Sequence, residues 1–164
     1  MKHPIHSILV HLPLGLWPAA FLFDLLSRVE IGGNAMVRLA FWAILLGLLG
    51  ALFAAVTGLI DWLQVKREKP AWKIGLYHMA VNVVVIGIFL FNAKGRLQSF
   101  RFDTEVDARA FVLSLVGTAL LLGSAYLGGL MVYEHGIGVA RHSKKRLRRV
   151  AEAAGANLPE EKKA

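Results

Sequence analysis

Four long apolar runs separated by short polar stretches set the pattern of this chain. They extend from about Ile8 to Leu26, Leu39 to Ile60, Ile74 to Ala93 and Ala110 to Tyr133. The second and fourth carry no charge, the third has His78 as its one ionisable group, and the first contains His11 and Asp24. A helix rises about 1.5 Å per residue, so about 20 apolar residues cross the ~30 Å hydrocarbon core of a bilayer. Each run is long enough. The pattern predicts helices over about 8–27, 38–62, 73–94 and 109–134, within a domain of residues 1–140. Gly32-Gly33-Asn34 reads as a turn, and Pro70 breaks any helix between the second and third runs. Short connections make successive helices antiparallel. The expected fold class is all-α, an integral membrane four-helix antiparallel bundle. The first run lacks a basic flank beyond Lys2, is too long for a signal-peptide core and contains Asp24, so it is expected to be retained.

Charge adds an orientation. The chain is 56% hydrophobic and 18% charged, where soluble domains carry about 25% charged residues. Four crossings return the chain to the side it started from, here side A. Thirteen of the 19 lysines and arginines fall on side A and six on side B. The positive-inside rule then predicts both ends in the cytoplasm. Residues 141–164 form a basic tail, with six basic residues between Arg141 and Arg149 and no aromatic residue to stack on a base. The expected partner of the tail is anionic lipid, and no nucleic acid.

The chemistry is bounded by what is missing and by what converges. There is no cysteine, which excludes disulfides, thiolate metal sites, cysteine-ligated iron–sulfur clusters and covalent haem attachment. No nucleophile–base pair or phosphate loop is present, so hydrolysis and group transfer are unsupported. Topology brings His3, His6, His11, Asp61, His78, Glu134 and His135 to side A, with His142 following in the tail. Small residues lead toward them. Gly47, Gly50, Ala54, Gly58 and Asp61 form one stripe; His11, Gly15 and Ala19 form a second; His78 and Asn82 share a face; Gly117, Leu121, Ser124, Gly128 and His135 align in the same way. Such stripes serve close helix packing, or they open room for a flat cofactor, and the spacing alone allows both. Ionisable groups within a membrane run mark function by default, which singles out His11 and His78. Asp24 has a simpler expected partner in Arg28, four residues on.

A family resemblance is carried by several of these elements. They are His3-Pro4-Ile5-His6 with Leu9-Val10-His11-Leu12-Pro13, then Thr57-Gly58-Leu59-Ile60-Asp61, then His78 with Asn82, and the closing stretch from Tyr126 to Val139 with its Glu134-His135-Gly136. Together they resemble the bacterial membrane family called domain of unknown function 2231, from about His3 to Val139. The resemblance implies a multi-pass protein of the bacterial inner membrane. Some chains similar to this one carry an attached Rieske-type iron–sulfur domain, an association that implies redox work.

Three functions compete. The first is a membrane electron-transfer protein with a b-type haem held by neutral imidazoles. His11 and His78 are the expected pair, His6 and His135 their replacements, and a redox protein the expected partner. The second is a transition-metal site of His11, His78, His135 and Asp61 for sensing, transport or metal redox; transport by only four helices would call for a homo-oligomer. Thr57, Asn82 and Glu134 are the expected hydrogen-bonding neighbours in either case. The third is a structural or accessory membrane subunit without a cofactor.

Overall fold

The computed structural model describes residues 5–139 and 144–156. Its elements are α1 (Ile5–Leu9), α2 (His11–Arg28), α3 (Asn34–Leu63), α4 (Pro70–Arg96), α5 (Ala108–Tyr133) and α6 (Lys144–Ala153), and the described residues contain no strand. Four stretches are long and apolar enough to cross a membrane: Ile5–Arg28, Asn34–Leu63, Pro70–Arg96 and Ala108–Tyr133. The fold is thus an all-α bundle of four membrane-spanning helices.

Local chemistry sets the ends. Pro70 opens α4 at its first turn, where a missing N–H costs nothing. The Asp107 carboxylate caps α5 by accepting from the Ala110 N–H at 2.9 Å. At the other end of α5, Gly136 adopts a positive φ of 61° while the Ile137 N–H reaches back to the Met131 carbonyl at 2.9 Å, a Schellman-type stop. The first span is divided at Val10, between α1 and α2. Pro13 has no N–H to give the Leu9 carbonyl, so the helical ladder is interrupted there.

The long helices form a ring in which α2 and α4 each pack between α3 and α5. Across the diagonal, α2 and α4 meet through side chains. The Trp17 and Phe89 rings stack at 4.2 Å in the centre, with Ile44, Val85 and Leu121 packed around them. The Trp17 indole N–H donates to the Ile44 carbonyl at 3.3 Å, the partner a buried indole requires. The small stripe of α3 receives the first span: a Cβ on Gly50 would lie 2.6 Å from Leu12, one on Gly58 would lie 2.7 Å from His6, and Gly47 lies against Trp17. A second cluster at side B stacks Phe41 on Phe100 at 4.0 Å beside Val37.

Candidate functional site

Within its helices, side A holds two half-buried imidazoles, His6 on α1 and His78 on α4. The His6 Nδ1 lies 2.9 Å from the Ala54 carbonyl of α3. A carbonyl only accepts, so Nδ1 carries the proton and Nε2 keeps its lone pair. Thr57 donates to the same carbonyl at 3.1 Å, tying that neighbour to the imidazole through a shared acceptor. On α4, the His78 Nδ1 lies 2.8 Å from the Ser124 carbonyl of α5, which fixes the same tautomer. Asn82 donates its amide to the His78 carbonyl at 2.9 Å and to Ser124 Oγ at 2.7 Å, and it approaches the His78 Nε2 at 3.1 Å. Gly128 makes room for the ring, since a Cβ there would lie 3.3 Å from its Cε1.

The remaining expected residues are placed differently. His11 is exposed, not turned toward His78. It follows His6 by five positions, about 140° around a helix, so the two cannot share a face, and it is His6 that packs on Gly58. Asp61 is also exposed. It continues the α3 stripe, but it lies nearly one turn beyond the last contact of that stripe, at Gly58. His135 is half-buried just past the end of α5, and Glu134 beside it is exposed. His3 and His142 lie outside the described residues. Among the described residues no three histidine, aspartate or glutamate side chains come together as a set that could hold a metal ion.

The largest departure from expectation is at side B. Asp24 does not pair with Arg28. It is 0% exposed and bonds the guanidinium of Arg96, itself 1% exposed, through both oxygens at 2.7 and 2.6 Å. Ser114 donates to the same carboxylate at 2.6 Å and accepts from Arg96 and Asn92 at 3.1 and 2.9 Å. Arg96 Nε donates to Asn92 Oδ1 at 2.8 Å. Arg28 instead points outward, to Glu105 at 3.1 Å and the Val106 carbonyl at 3.1 Å. Among the described residues no buried side-chain nitrogen or oxygen is left without a partner. This bidentate pair joins α2, α4 and α5, with each of its charged atoms hydrogen-bonded within the bundle.

The two clusters mirror each other along the α4–α5 pair. Asn82 bonds Ser124 and Asn92 bonds Ser114, and each asparagine stands four residues from an ionisable group, His78 or Arg96. The i, i+4 spacing of Asn92 and Arg96 repeats that of His78 and Asn82 in the sequence, and it was the available signal for the second cluster.

Comparison with known proteins agrees with this architecture. No curated protein and no solved structure matches the chain. A family model described as "Predicted membrane protein (DUF2231)" matches residues 2–141, which covers the four spans and both polar clusters. The chain belongs to this family of predicted membrane proteins.

Proposed function

We propose that the chain is a membrane electron-transfer protein that holds a b-type haem at side A, with His6 and His78 as the axial ligands. The observation that carries this reading is the matched setting of the two imidazoles. Each gives its Nδ1–H to a main-chain carbonyl of a neighbouring helix, which leaves Nε2 as the basic nitrogen. Outer hydrogen bonds of this type orient ligating histidines and raise their basicity. Haem iron asks only two ligands of the protein, whereas a bare ion commonly takes three or four. Two imidazoles with no third carboxylate or histidine grouped with them among the described residues therefore favour haem over the metal-ion reading. Ligation by His78 would displace only its contact with Asn82, which retains its bonds to the His78 carbonyl and Ser124. The bonds already made by both His78 nitrogens favour one second reading, a structural subunit without a cofactor. The excess of basic residues on side A supports an orientation in a bacterial inner membrane with both ends in the cytoplasm. The haem and its redox partner would then be on the cytoplasmic side.

The test is the spectrum of the full chain purified from cells supplied with a haem precursor. A Soret band that shifts on reduction is expected. His6→Ala and His78→Ala should each abolish it with the helices still inserted, and His11→Ala should retain it. Colourless wild-type protein would end the haem proposal and leave the structural reading. Haem loss in His11→Ala but not in His6→Ala would overturn the ligand assignment.

A further inference from the structure

The segment after the bundle is a helix, α6, and its residues sort by position. Leu147, Val150, Ala151 and Ala154, the last just past the end of α6, recur at steps of three, one and three, which places these four on one arc of about 100° with Ala153 at its flank. Lys144, Lys145, Arg146, Arg148, Arg149 and Glu152 occupy the remainder, five basic residues against one acid. Arg148 and Glu152 pair along the helix at 2.8 Å. Ten residues separate Tyr133 from Lys144, so the start of α6 is within about 40 Å of the side A end of α5 even if the link is fully extended. This tether keeps the helix near the membrane surface.

We infer that α6 lies flat on the side A leaflet, with its apolar arc at the acyl boundary and its lysines and arginines among anionic lipid headgroups. The apolar arc is small, with one leucine, one valine and two alanines, and is too weak to bind by itself. Charge must contribute most of the attraction, so association requires anionic lipid and weakens as salt rises. Lipid is favoured over nucleic acid because residues 141–164 include no aromatic side chain for base stacking and the helix is tethered beside a bilayer.

The chain has no cysteine, so a single introduced one labels uniquely. Val150→Cys places an environment-sensitive dye in the apolar arc, and Glu152→Cys, about 150° from the centre of that arc, places it on the opposite side of the helix. Each full-length variant is measured in nanodiscs of phosphatidylcholine, with and without phosphatidylglycerol. The position-150 dye should brighten several-fold and shift to the blue only in the anionic discs, and high salt should reverse the change. The position-152 dye should report water throughout. Arg148→Glu with Arg149→Glu should abolish the response at position 150. Equal responses at both positions would overturn the flat-lying helix. A response in neutral discs, or one to added RNA and not to phosphatidylglycerol, would overturn the anionic-lipid assignment.

Discussion

A carboxylate and a guanidinium buried inside a membrane bundle are tolerable only together, and Asp24 and Arg96 are bound at both oxygens. Removing one partner leaves the other charged and unsatisfied at a cost of about 3–5 kcal/mol, while replacing both with apolar residues of similar volume is often close to neutral. Asp24→Ala and Arg96→Ala should therefore lower the midpoint of unfolding in mixed micelles sharply, and Asp24→Leu with Arg96→Met should recover most of the loss. Additive losses in the double variant would show that the two side chains do not act as a pair. Asp24 stood out in the sequence as a charge within an apolar run, but its partner did not. Spacing along a helix identifies neighbours on the same helix, so Arg28 was visible and Arg96, which approaches across the bundle, was not. The same blindness favoured His11 over His6. Both lie at the side A end of the first span, and only the packing of α1 on Gly58 decides which one turns inward.

At the scale of elements, the stripe of α3 was legible in its spacing, and the structure adds what occupies it. Gly47 lies against the indole of Trp17, which is held between the Ile44 carbonyl and the ring of Phe89 and has nowhere to move. Gly47→Val should cost about 1–3 kcal/mol through overpacking. Gly15 provides the control, because nothing lies within 4 Å of a Cβ built there. Gly15→Ala should be neutral or stabilising, since alanine is favoured over glycine within a helix by about 1 kcal/mol. Unfolding midpoints of the two variants in the same micelles check the contrast, and an unperturbed Gly47→Val would mean that α2 and α3 can separate without loss. The break at Val10 was not anticipated. Pro13 was in plain view, but its effect falls on the carbonyl of Leu9, four residues earlier, and it divides a span that reads as continuous by hydropathy.

For the whole molecule, hydropathy and loop length were enough to anticipate four antiparallel crossings, because membrane helices must satisfy their own backbones and short links permit little else. The ring order, with α2 and α4 on the diagonal, depends on side-chain contacts between distant segments and was not legible. The proposed orientation predicts that a reporter fused after Ala164 is active only as a cytoplasmic enzyme and that one inserted at Lys94 is active only as a periplasmic enzyme. The reverse pattern would place the basic tail and the side A histidines outside. The centre of the bundle has a consequence for energetics. Trp17, Val85, Phe89 and Leu121 separate the histidine end from the Asp24–Arg96 end, and the Thr118 hydroxyl at that level is directed to the Trp17 carbonyl at 3.5 Å. An apolar layer thus stands between the two polar clusters of the described residues. A haem held at side A as proposed would therefore lie on one side of this apolar layer, and any proton taken up with its electron would be drawn from the side A face.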